Sequence, residues 1–148
     1  MVSSIRTPIL FACAAALIVA AVAAAQESAP PRTPPKTLFS APLADAPGKN
    51  LVVVELNYRP NPAPPSTAER HGRGHRHPGS VYVYVAQGAV RLGIAGEPVQ
   101  VVLAGGSFFE PVGVHHIVNE NASATEPARA IAVMIVPDGE PLTTLDEE

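Results

Sequence analysis

The chain has no tryptophan and one cysteine, Cys13, which lies in an apolar N-terminal stretch. Once that stretch is set aside, as argued below, no thiol remains. A disulfide framework and a thiolate metal site are both excluded. Three tyrosines and four phenylalanines are too few for a broad platform that stacks on bases. Ten lysines and arginines against thirteen acids give a formal charge of -3, so no global basic surface calls for nucleic acid as a partner. Beyond the N-terminal stretch no segment keeps a 3.6-residue apolar period, which leaves no amphipathic helix to build on.

Residues 1–25 carry a single charge, Arg6, ahead of an apolar run over 9–25 that ends Ala23-Ala24-Ala25 before Gln26. This is the pattern of a secretory signal peptide with a small-residue cleavage site. The rival reading is a retained membrane anchor, since the run approaches the length of a span. Alanine-rich composition and the small-residue site favour cleavage, and with it a periplasmic or secreted protein without a stable membrane anchor. A lipoprotein cleaved at Cys13 is disfavoured, because too little apolar sequence precedes that residue and too much follows. The mature chain is then about 123 residues with a formal charge of -4, enough for one domain with a modest core. Without disulfides, such a domain rests on its core or on bound metal.

Residues 26–48 contain Pro30-Pro31, Pro34-Pro35, Pro42 and Pro47 and read as a Pro-rich linker, because proline cannot sustain a helix or a central strand. From residue 49 the texture changes. Short β-prone runs over 51–58, 81–86, 89–94, 98–103, 107–110, 115–120 and 130–136 are punctuated by Gly88, Gly96, Gly105-Gly106 and Gly113. Val90, Leu92 and Ile94 alternate with Arg91 and Gly93, as a half-buried strand requires. The expectation is an all-β domain over 49–140, a small barrel or sandwich, with an acidic tail over 141–148.

All five histidines fall in two clusters: His71, His75 and His77 in HGRGHRHPG, and His115 and His116 in EPVGVHHIVN. Side chains alternate along a strand, so His75 and His77 share one face. A third histidine from a distant strand then closes a facial metal site, and imidazole suits zinc, iron, copper and nickel. His115 and His116 are adjacent and cannot both easily point inward, which leaves one as ligand and the other at the rim.

In these motifs the sequence resembles the cupin superfamily, small β-barrels of jelly-roll type. The family's first motif, Gly-x5-His-x-His-x(3 or 4)-Glu-x6-Gly, has counterparts in His75, His77 and Gly88; its second, Gly-x5-Pro-x-Gly-x2-His-x3-Asn, in Gly105, Pro111, Gly113 and His116. Sixteen residues separate Gly88 from Gly105, and the likeness covers about residues 50 to 137. The departures are Glu69 for the opening glycine, Glu120 for the closing asparagine, and Val81 where the family places a metal-binding glutamate. The resemblance implies His75, His77 and His116 as ligands of a divalent ion (Fe, Zn, Ni or Mn). It also implies a small-molecule ligand or substrate, and a homodimer paired through sheets. With Val81 at the carboxylate position, three neutral ligands would leave the ion its full charge and favour imidazole-loving metals over Mg or Ca. Glu110 is the one acid near the second motif and could supply the missing carboxylate or act as proton carrier; its direction is open.

His71 reads either as a solvated loop residue or as a fourth ligand or general base. Arg70, Arg73 and Arg76 form a local positive run; at a barrel mouth they would favour an anionic substrate, with Arg73 the better placed. Phe108, Phe109, Tyr82, Tyr84 and Met134 are expected in the barrel wall. Three functions remain: a metal-dependent enzyme with dioxygenase-like or Lewis-acid chemistry, a non-catalytic binding module, and a metal-free epimerase-like enzyme.

Overall fold

The structure, a computed structural model, describes residues 33–62, 65 and 74–146. The signal-peptide reading, residues 26–32 of the linker, and His71, Glu69, Arg70 and Arg73 lie outside the described residues. Within them the chain forms β1 (Lys36–Pro42), β2 (Lys49–Tyr58), β3 (His75–Arg76), β4 (Ser80–Gln87), β5 (Ala89–Ile94), β6 (Gln100–Leu103), β7 (Ser107–Glu110), β8 (His116–Asn121), β9 (Ala128–Pro137) and β10 (Thr144–Leu145). Every pairing is antiparallel, in two five-stranded sheets ordered β1-β2-β9-β4-β7 and β10-β3-β8-β5-β6. No helix among the described residues is long and apolar enough to cross a membrane.

The inner faces follow from strict alternation. Val81, Val83 and Val85 on β4, Ala130, Ala132, Met134 and Val136 on β9, and Val52 and Val54 on β2 form one wall. Val90, Leu92 and Ile94 on β5, with Val102 on β6, form the other. Each valine or leucine fully buried here contributes roughly 1.5–3 kcal/mol of transfer free energy, which offsets the ordering of the strands that carry it.

Two segments differ from the sequence expectation. The first sheet begins at Lys36, inside the stretch read as linker; β1 is an edge strand, where proline's missing N–H faces no partner. Residues 144–145, within the stretch read as an acidic tail, pair with β3 as the edge strand β10. The aromatic expectation also divides. Phe108 and Met134 are buried, but Tyr82, Tyr84 and Phe109 are exposed, because β4 and β7 turn those positions outward. Cross-strand pairing then lines up Phe39, Val53, Val133, Tyr82 and Phe109 in one outward row across all five strands of the first sheet.

Two local devices set the geometry near the histidines. A Cβ on Gly79 would lie 1.8 Å from the Ile135 carbonyl oxygen, so only glycine lets the turn after His77 pass against β9. On β8 the register against β5 shifts between Gly93 and Ile94: Val118 pairs with Gly93, but His116 pairs with Ile94. Ile117 is the extra residue of a β-bulge, and the bulge turns both His116 and Asn119 inward at an odd spacing that plain alternation forbids. At the far end of β8, the buried Asn121 places its amide nitrogen 2.8 Å from the Glu126 carbonyl and 3.0 Å from that of Arg59. The sequence Asn121-Ala122-Ser123 matches a glycosylation sequon, yet this amide is committed to pinning two loops.

Candidate metal centre

His75 and His116 face each other as cross-strand partners on β3 and β8, with ring centroids 4.8 Å apart. His77, just past β3, returns to the same face; its ring centroid lies 4.7 Å from that of His75. From the opposite sheet, Glu110 reaches across at the end of β7. One ligand atom from each of His75, His77, Glu110 and His116 lies within 4.8 Å of the others. Two ligands on opposite sides of an ion at ordinary bond length stand about 4.2 Å apart, so small side-chain shifts bring the four to coordination distance.

Glu110 resolves the question that Val81 raised. Val81 and Glu110 are cross-strand partners on β4 and β7, and both side chains are 2% exposed on the inner face. The carboxylate absent at position 81 is supplied one strand over. The expected consequence of three neutral ligands is therefore corrected: the cluster includes a carboxylate beside its three imidazoles.

The polar bookkeeping inside the cluster points to a cation. Glu110 Oε2 lies 3.2 Å from His116 Nδ1 and 3.6 Å from His77 Nε2, without hydrogen-bond geometry to either. Glu110 Oε2 and both ring nitrogens of His116 are buried with no hydrogen-bond partner among the described residues. A buried carboxylate needs a compensating charge. Protonating His116 would supply one but would leave a buried N–H with nothing to accept it. A divalent ion satisfies carboxylate and imidazole together, and a mixed imidazole–carboxylate set fits Fe, Mn, Ni or Zn.

His77 is pre-oriented for such a role. Its Nδ1 lies 2.6 Å from the Leu142 carbonyl, which can only accept, so the proton sits on Nδ1. In the neutral ring Nε2 then keeps its lone pair on the side of Glu110. Metal-bound histidines commonly donate their second nitrogen to a backbone carbonyl in this way. His115 turns to the other side of the chain, with Nε2 2.6 Å from Asp146 Oδ2. Arg76 also turns away and donates to the Gly113 carbonyl at 2.9 Å.

The cluster forms one end of a cavity of about 400 Å³. Its wall is mainly apolar, built by Val54, Leu56, Val83, Leu92, Ala132 and Met134. A second polar feature, missed in the sequence, is Tyr58, whose hydroxyl donates to Asn119 Oδ1 at 2.7 Å. Tyr58 lies outside both histidine motifs, and Asn119 closes the stretch EPVGVHHIVN, where only the bulge at Ile117 reveals that it faces inward. Among the described lining residues there is no lysine or arginine.

The cupin domain family matches residues 66–134. A Klebsiella pneumoniae protein with a double-stranded β-helix domain superposes with a TM-score of 0.54 at 20% identity, over 82% of this chain and 88% of that one. A cupin-like protein from Thermotoga maritima gives 0.53 at 19% identity, over 77% and 75% of the two chains. No curated protein matches the chain. Motif, sheet order and the inward-facing histidines agree with the family match, and residues 66–134 form a cupin domain.

Proposed function

We propose that this protein is an exported, metal-dependent cupin enzyme that acts on a small, largely apolar molecule with one oxygen-bearing head. The observation that carries the reading is the buried convergence of His75, His77, Glu110 and His116, with polar atoms left unsatisfied among them. A divalent ion in this set would supply Lewis acidity or, as iron, redox chemistry toward dioxygen. Glu110 balances part of the ion's charge. The aliphatic wall takes up the apolar body of the substrate and excludes water from the cluster. Tyr58, whose hydroxyl proton is committed to Asn119, offers its oxygen as an acceptor at fixed orientation. With no cationic side chain among the described lining residues, an anionic head would be directed to the metal; Arg70 and Arg73 remain candidates for steering at the mouth.

A second reading, a non-catalytic binding cupin, also has support. Glu110, His75 and His77 are the only acid and histidines among the described lining residues, and all three belong to the cluster. Outside the cluster, His71 remains the candidate proton carrier of the sequence. Metal analysis of the mature protein, followed by turnover and oxygen-uptake assays on phenolic and thiol substrates, separates the two. Stoichiometric iron with oxygen uptake supports the dioxygenase-like form, and zinc or nickel without uptake supports Lewis-acid chemistry. Tight metal with ligand binding but no turnover supports the binding module, and a folded protein that takes up no metal rejects the centre.

The reading extends to location and assembly. The N-terminal sequence supports export to the periplasm or medium. The outward row Phe39–Val53–Val133–Tyr82–Phe109 supports pairing of two copies through the first sheet, since an apolar belt of this kind marks contact surfaces. Light scattering on the mature protein checks the pairing.

A further inference from the structure

The segment from Leu142 to Asp146 touches the surroundings of every histidine in the centre. At one end the Leu142 carbonyl accepts from His77 Nδ1 at 2.6 Å, with Thr143 Oγ1 3.3 Å from the same nitrogen. In the middle, Leu145 pairs with His75 and Thr144 with Arg76. At the other end the Asp146 carboxylate holds His115, the neighbour of His116, while its backbone N–H donates to the Gly74 carbonyl at 3.0 Å. Gly74 leaves the room this needs: a Cβ there would lie 2.4 Å from His115 Nε2 and 2.5 Å from Asp146 Oδ2. Leu142, Thr143 and Leu145 also line the cavity.

We infer that this C-terminal strap is a positioning element of the metal centre, latched by Asp146 on His115, and that its docking sets metal affinity by holding His77 with Nε2 toward the cluster. The inference rests on the metal-centre reading above. A two-residue strand pairing is too short to be stable by itself, so the strap stays docked through its side-chain and carbonyl contacts. Released from Leu142, the His77 ring gains rotational freedom and loses its fixed tautomer. Partners of this kind are worth about 10–100-fold in metal affinity. Coupling is reciprocal, so bound metal must hold the strap down by the same factor.

The test titrates Zn2+ into the wild type, a chain ending at Glu140, Asp146→Ala and Asp146→Asn. Amide exchange at Leu145 and Asp146 is followed in the wild type with and without metal. The strap predicts about 10–100-fold weaker binding in the truncated chain. Asp146→Ala should fall between, and Asp146→Asn, which keeps an acceptor for His115, near the wild type. Zinc should slow exchange at both amides, a readout that a merely structural tail would not move. Equal zinc affinity in the wild type and the truncated chain overturns the inference alone. Should the truncated chain fail to fold, unchanged affinity in Asp146→Ala together with metal-independent exchange overturns it. A wild type that binds no zinc overturns the metal centre and the strap together.

Discussion

The sheet containing β3 and β8 delivers three histidines from strands of two and six residues, one of them bulged. The sheet containing β4, β7 and β9 delivers one carboxylate from β7, which pairs with β4 without a register break, and its remaining inward residues are apolar. Around the cluster the irregular side thus provides the binding groups, and the regular side provides the wall and a compensating charge. The carboxylate is the portable member of the set. Val81 and Glu110 sit side by side on paired strands facing the same space, so the acid can come from either position and still meet the histidines.

Removing a histidine attacks the irregular side and should have the largest effect. His116→Ala is expected to weaken zinc or cobalt binding by at least about 100-fold, read by competition titration. Glu110→Gln attacks the regular side, and its two effects should run in opposite directions. Metal affinity should fall by about 10–100-fold. The metal-free protein should gain about 1–3 kcal/mol in chemical denaturation, because a buried charge has been removed. The double exchange Val81→Glu with Glu110→Val moves the acid to the neighbouring strand, and recovery of most of the lost affinity would establish that it is portable. Loss equal to that of Glu110→Gln would tie the site to position 110. Tyr58→Phe, outside the ligand set, should leave metal affinity unchanged and cost about 0.5–1.5 kcal/mol of stability through the lost bond to Asn119.

How much of this was legible in the sequence depended on whether the period could be seen. On β5 the polar Arg91 and Gly93 between apolar neighbours show the alternation, and the strand runs from Ala89 to Ile94 as read. On β4, valines inside and tyrosines outside are all apolar, and on β7 two adjacent phenylalanines precede Glu110, so neither pattern shows which way a side chain points. This hid the direction of Glu110 and left open which of Tyr82, Tyr84, Phe108 and Phe109 face inward. β1 and β10 were not legible, and β3 showed only as the alternation of His75 and His77. Prolines mask the first, and the other two are two-residue pairings that exist only because distant segments meet. The histidines were legible because their spacing is local: His75 and His77 are two apart, and His116 stands three residues after Gly113 and five after Pro111.

The single surplus residue of β8 constrains how the chain can be altered. Most strands tolerate a length change if the neighbouring loop absorbs it. Removing Ile117 would leave His116 and Asn119 two positions apart, so plain alternation would keep both on the inner face. Pairing β8 regularly with Ile117 still in place would instead turn either the ligand or the tyrosine anchor out of the pocket. Substitutions at Ile117, or its omission, are therefore permissible where a loss of the bulge is not: at this position the register, rather than the side chain, is the functional element.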